Sequence, residues 1–116
     1  WWQTETGSIV MAPLPALIPL KPGSAAQPLP GIDAIIVDDM GQKASTGYLV
    51  LTSPWPSMLR GVYKDSKRYE DIYWKKWNGR YYFSGDSAKQ DEEGYFWLLG
   101  RVDDVINVSG HRIGSI

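Results

Sequence analysis

Apolar and polar positions alternate along this chain in short runs, and turn residues break the runs every few positions. That pattern predicts mostly β structure. Residues 32–38 (Ile-Asp-Ala-Ile-Ile-Val-Asp) read as a strand, and Asp38, Asp39, Met40 and Gly41 as the turn after it. Residues 47–53 (Gly-Tyr-Leu-Val-Leu-Thr-Ser) form its antiparallel partner, stopped by Pro54-Trp55-Pro56. Residues 81–89 alternate well enough for another strand. Asp91-Glu92-Glu93-Gly94 is a hairpin turn in which Gly94 supplies the positive φ. Residues 95–99 return from it, and 105–108 make one more short strand.

Helical period shows once, over residues 65–77. Asp65 or Ser66 caps the start, and Asn78-Gly79 ends it. Tyr69, Ile72, Tyr73 and Trp77 share one face, which is expected to be core rather than a ligand surface. Residues 9–20 are apolar but interrupted by Pro13, Pro15 and Pro19, so they are extended or edge structure. Residues 21–31, with three prolines and two glycines, are a surface connector. Residues 1–7 read as loop and 59–63 as a short irregular link. The sum is mainly β with one helix, an α+β chain whose natural architecture is a small twisted antiparallel barrel or sandwich.

Composition narrows the classes. The 116 residues allow one domain or two small subdomains. With 43% hydrophobic and 22% charged residues the chain is globular. It should bury roughly 65% of its unfolded surface. A net charge of −1 gives no basic footprint for nucleic acid, and no polybasic tract points to a membrane surface. No apolar run reaches the ~18 residues of a membrane span. No cysteine is present, so this chain forms no disulfide and no thiolate metal site. A cytoplasmic location fits these features. The six Trp and seven Tyr are expected to divide between a core and an exposed contact face. The chain opens on Trp1, not Met, and ends at Ile116 just after Gly-His-Arg, so an internal piece of a longer protein is expected.

Candidate chemistry concentrates at two places. In Trp1-Trp2-Gln3-Thr4-Glu5-Thr6-Gly7, hydroxyls and amides suit phosphate oxygens, and Glu5 suits a hard cation such as Mg²⁺. The plain alternative is a capped, solvated turn. Residues 81–112 hold the rest. Asp86, after Gly85, can accept two hydrogen bonds from a vicinal diol. Arg101 offers planar, bidentate donation to phosphate or diol oxygens. Hairpin geometry can bring the two together at one sheet edge. The alternatives are a satisfied Asp at a bend and a surface ion pair worth about 0–1 kcal/mol. Ser109-Gly110 permits close approach of a ligand, and Arg112 adds a second cation. His111 is the only histidine, and no second His or Cys joins it as a metal ligand.

Three segments in order carry a resemblance: Trp-Trp-Gln-Thr-Glu-Thr-Gly at 1–7, Tyr-Phe-Ser-Gly-Asp at 82–86, and Gly-Arg-Val-Asp-Asp-Val-Ile-Asn-Val-Ser-Gly-His-Arg at 100–112. Together they resemble the adenylate-forming superfamily of acyl- and aryl-CoA synthetases, nonribosomal adenylation domains and luciferase. The double Trp, Lys21-Pro22-Gly23-Ser24, Pro28-Leu29-Pro30-Gly31 and Ser53-Pro54-Trp55-Pro56 narrow it to short-chain acyl-CoA synthetases of the acetate–CoA ligase type.

The resemblance implies activation of acetate by ATP and Mg²⁺ to acetyl-AMP and pyrophosphate, then transfer to CoA. Trp2 would limit the acyl pocket to acetate or propionate. Gln3, Thr4, Asp86, Arg101 and Arg112 would bind ATP or AMP, with Asp86 and Arg101 on the ribose. Glu5 would help hold Mg²⁺. Ser109 and Gly110 would approach CoA, and Asp103 would be the hinge of domain rotation. Residues 1–20 would end the nucleotide- and acyl-binding subdomain, 21–102 would be a β-barrel subdomain, and 103–116 would begin the C-terminal domain. The family's phosphate loop and adenylating lysine would lie outside the chain, in the remaining subdomains of the parent enzyme. No catalytic residue is therefore expected within it, and the isolated piece is expected to be inactive. Without the resemblance, a non-catalytic interaction module with an exposed aromatic face remains open, and so does a carbohydrate-binding β domain.

Overall fold

The computed structural model describes residues 1–103 and, as backbone, 105–108 and 111–114. Its centre is an open four-stranded antiparallel sheet in the order β3–β4–β5–β6. These strands are β3 (Ala34–Val37), β4 (Thr46–Leu51), β5 (Tyr82–Gln90) and β6 (Phe96–Arg101). A ribbon of β1 (Met11–Ala12) and β2 (Gln27–Pro28) precedes it, and a ribbon of β7 (Val105–Val108) and β8 (His111–Gly114) follows it.

The α+β class matches the expectation, but the barrel does not form. Closure needs more strands at consistent tilt and stagger than four can supply. The outer edge of β6 instead takes Ala26, through Ala25 N to Phe96 O at 2.8 Å and Phe96 N to Ala26 O at 2.9 Å. The outer edge of β3 takes Lys43.

Alternation sorts the strand residues onto two buried faces. Ile36, Leu49, Ala88 and Phe96 pack with Met11 on one face. Val37, Tyr48, Val50 and Tyr81 lie on the other, covered by Trp77 and Phe83. At one end Tyr82 joins Val10, Leu51 and Trp55, its ring edge-on to Trp55 at 5.2 Å. The aromatic-rich core therefore exists on both sides of the sheet, while Trp2 and Tyr63 stand exposed.

The helix is shorter than its sequence period. α1 spans Ser66–Tyr73, and a separate 3-10 turn covers Lys75–Trp77. Asp65 caps α1 by accepting from Arg68 N at 3.0 Å. The break falls at Trp74, whose φ of −126° leaves the helical region. Beyond it Trp77 turns edge-on to Tyr48, Phe83 and Tyr81, contacts worth roughly 0.5–1.5 kcal/mol each. The expected apolar face is accordingly not core throughout, for no residue of α1 is buried and Ile72 is exposed.

The hairpin between β5 and β6 is tied down by Asp91. Its Oδ1 accepts from the backbone N–H of Glu93 and Tyr95. Its Oδ2 accepts from Lys21 Nζ at 2.8 Å and Trp97 Nε1 at 3.1 Å. Lys21 also pairs with Glu93 and lies over the Tyr95 ring. Lys21 foremost, with the Tyr95 N–H and the Trp97 indole, holds the Asp91 carboxyl down at about 2.

Candidate functional site

Bulges in β5 and β6 build the site. Pairing with β4 steps from Tyr48↔Ser87 to Val50↔Phe83, so Ser84, Gly85 and Asp86 stand opposite the single residue Leu49. Such an irregularity re-aims side chains and strengthens the local twist. Ser84 Oγ secures it by donating to Leu49 O at 2.7 Å and accepting from Asp86 N at 3.1 Å. Gly85 takes a φ of +76°, which a side chain disfavours. On β6 the register shifts between Leu98 and Gly100, and Asp86 then faces Arg101 directly.

The expected pair is therefore joined by strand register. Arg101 Nη1 donates to Ser84 O at 3.0 Å and reaches Asp86 Oδ1 at 3.4 Å. Asp86 is buried, while the Arg101 side chain is 45% exposed. An ion pair that long and that open contributes at most about 1 kcal/mol. Burial dominates: it pushes the Asp86 carboxyl up, against the Trp1, Arg101 and Gln3 interactions that pull it down. Trp1 Nε1 and Gln3 Nε2 donate to Asp86 Oδ2 at 2.9 and 3.0 Å. Gln3 Nε2 also donates to Ser84 O at 2.7 Å, which fixes the first loop to the bulge.

That loop holds a 3-10 turn over Thr4–Thr6. Thr6 is its anchor, fully buried, its carbonyl accepting from Trp55 Nε1 at 2.9 Å and Ser57 Oγ at 2.7 Å. Glu5 extends from the turn, and its Oε1 accepts from the Tyr73 hydroxyl at 3.0 Å.

A cavity of about 320 Å³ lies between these elements. Gln3 and Glu5 line it from the loop, Ile72 and Tyr73 from α1, Phe83, Ser84 and Gly85 from β5, and Arg101 and Asp103 from the end of β6. Asp103 Oδ2 lies 3.5 Å from Arg101 Nη2. Five residues named from sequence thus meet here: Gln3, Glu5, Asp86, Arg101 and Asp103. Asp86 lies behind the wall, reaching the cavity through Arg101 and Gln3. Trp2 and Thr4 are exposed and line no part of it. Ser109, Gly110 and the side chain of Arg112 lie outside the described residues. Ile72, Tyr73, Phe83 and Ser84 were not anticipated as lining. The helical spacing that groups Ile72 with Tyr73 is the same for a core face and a cavity wall.

Among the described residues no cluster of three or more acidic or histidine side chains can hold a metal. Glu5 and Asp103 are the two carboxylates that line the cavity, and Asp103 lies against Arg101. One protein carboxylate with substrate phosphates and water is a set that Mg²⁺ accepts.

No protein-family model matches the chain. Its similarity falls among synthetases of acyl-coenzyme A compounds. More particularly, the chain is homologous to the acetyl-coenzyme A synthetases. It is 58% identical over 118 residues to that of Rubrobacter xylanophilus, 56% to that of Streptomyces avermitilis and 55% to that of Gemmatimonas aurantiaca. Each alignment covers 99% or more of this chain but only 18% of the relative, so the chain spans under a fifth of the proteins it matches.

Proposed function

We propose that the chain is the nucleotide-contacting and hinge-bearing segment of an AMP-forming acetate–CoA ligase. The observation that carries this is the register pairing of Asp86 with Arg101 beside a cavity that also holds Glu5. Homology along essentially the whole chain supports it.

In this reading ATP enters the cavity with its ribose over Gly85. Arg101 has a planar fork with donors beyond those engaged by Ser84 and Asp86, and these suit a ribose hydroxyl or the AMP phosphate. Asp86 keeps the guanidinium in place and offers Oδ1 as an acceptor. Gln3 and Thr4 lie along the nucleotide, with Thr4 on the phosphate and Arg112 as a second cation. Mg²⁺, when bound, neutralises charge on the ATP phosphates, and Glu5 is the residue that would hold it. Trp2 faces the acyl group (acetate, or propionate if space allows). Ser109 and Gly110 approach CoA, and Asp103, in contact with Arg101, is the hinge. On this division residues 1–20 close one subdomain, 21–102 form the sheet subdomain and 103–116 begin the next. The remaining subdomains of the parent enzyme are its partners, and its compartment is the cytoplasm. No described helix is long and apolar enough to cross a membrane.

Exposed Trp2, Leu17, Leu20, Met40 and Tyr63 favour a second reading, a non-catalytic interaction module. Titration with AMP, followed by Trp fluorescence, separates the two, because the Trp1 indole is bonded to Asp86. A saturable change, lost in Arg101→Ala, is expected. Concentration-dependent self-association with no response to AMP would overturn the ligase reading in favour of the module. Acetate-, ATP- and CoA-dependent AMP release by the isolated chain should stay at background.

A further inference from the structure

We infer that Tyr73 is a positioning residue for Glu5, holding that carboxylate in the orientation in which it meets a divalent cation. The inference rests on the reading of Glu5 given above.

A glutamate on a surface turn has several rotatable bonds and samples many orientations. Here the two ends of the residue, backbone and carboxylate, are each held by a hydrogen bond. The Glu5 carbonyl accepts from Leu59 N at 2.9 Å, which pins the backbone. The Tyr73 hydroxyl donates to Oε1 at 3.0 Å and so fixes the carboxylate itself. Among the described residues no donor reaches Oε2, which leaves that oxygen for a ligand.

Tyr73 can act this way because its ring is packed against the core. Its ring lies parallel to Tyr82, centroids 5.6 Å apart and planes within 3°. Tyr82 is fully buried and braced edge-on by Trp55 and Trp74. A phenol hydroxyl is a donor, and this one is aimed at Glu5 Oε1. Hydrogen bonds from outer-shell residues of this kind orient metal ligands, and losing one typically weakens metal binding about 10–100-fold.

The test uses Mn²⁺ as the probe, with ATP, on the 116-residue chain. Electron paramagnetic resonance measures free Mn²⁺ for the wild type, Tyr73→Phe, Glu5→Gln and the double variant. Tyr73→Phe keeps the stacked ring and removes only the donor. It should weaken Mn²⁺ binding about 10-fold. Glu5→Gln should weaken it at least as much, and the double variant should match Glu5→Gln alone, since the two side chains act as one unit. Wild-type affinity in Tyr73→Phe beside a loss in Glu5→Gln overturns the inference and leaves the Glu5 reading standing. Wild-type affinity in Glu5→Gln, or no Mn²⁺ binding to the unmutated chain, overturns both. A second measurement needs no variant: Mn²⁺ bound with ATP should broaden the ring resonances of Tyr73 far more than those of exposed Tyr63. Equal broadening overturns the inference even if Tyr73→Phe fails to fold.

Discussion

The guanidinium of Arg101 rests on Gly85. A Cβ at position 85 would stand 2.5 Å from Nη2 and 2.9 Å from Cζ, closer than any real contact. The φ of +76° favours glycine in the bulge, and a side chain there would also push the flexible guanidinium aside. Gly85→Ala should lose about 1–3 kcal/mol of stability through the left-handed backbone alone. It should also displace Arg101 and weaken the fluorescence response to AMP at least tenfold. Urea unfolding and the AMP titration, run on the same samples, measure the two effects. An alanine variant with unchanged AMP affinity would show that Arg101 works from another position.

Tyr82 predicts an effect of the opposite sign. Its hydroxyl is the one buried side-chain polar atom, among the described residues, with no hydrogen-bond partner. Burial accordingly pushes its phenol far up. A buried, unpaired hydroxyl costs about 1–3 kcal/mol of desolvation. Tyr82→Phe should therefore raise stability by about 1 kcal/mol and keep the stack with Tyr73. A fall in the urea midpoint would mean that the hydroxyl has a partner when the chain is in solution.

Asp91 makes stability depend on pH at the acid end. Its folded value of about 2 lies below the ordinary 3.8. A depressed carboxyl contributes stability that is present above about 4 and is lost as pH falls through 2. The wild type should exceed Asp91→Asn in urea midpoint at pH 5, and the two should converge toward pH 2. A gap that stays constant from pH 5 to 2 would show the Lys21 contact to be absent in solution.

Asp86, on β5, carries the opposite linkage. Its folded value is raised by burial, so its favourable contribution is present below the ordinary 3.8 and lost as pH rises through the raised value. Asp86→Asn keeps an acceptor for Trp1 and Gln3. The stability of the wild type relative to Asp86→Asn should increase as pH is lowered from 7 toward 4. A relative decrease over that range would mean that Arg101 outweighs burial.

Strand positions and the hairpin were legible in the sequence because they depend on neighbours. Alternation predicted β3, β4, β5 and β6 to within two residues or so, and Asp91 to Gly94 declared its turn. The ordered motifs also named Gln3, Glu5, Arg101 and Asp103, which line one cavity, and Asp86, which lies behind its wall. The end of α1 was not legible, since period alone continues through Trp77. Only aromatic packing of Trp77 on Tyr48 and Phe83 breaks the helix at Trp74.

Local pattern by itself determined that this is an antiparallel β chain with one helix. It did so because side-chain period and turn chemistry act over a few residues. Tertiary structure alone decided that the sheet stays open, that Asp86 sits behind the wall rather than in it, and that Tyr73 and Ile72 face the cavity. Those outcomes depend on which distant segments cover each edge and each face, and on how much water burial removes from a given charge. Neither quantity is a property of any short stretch of sequence.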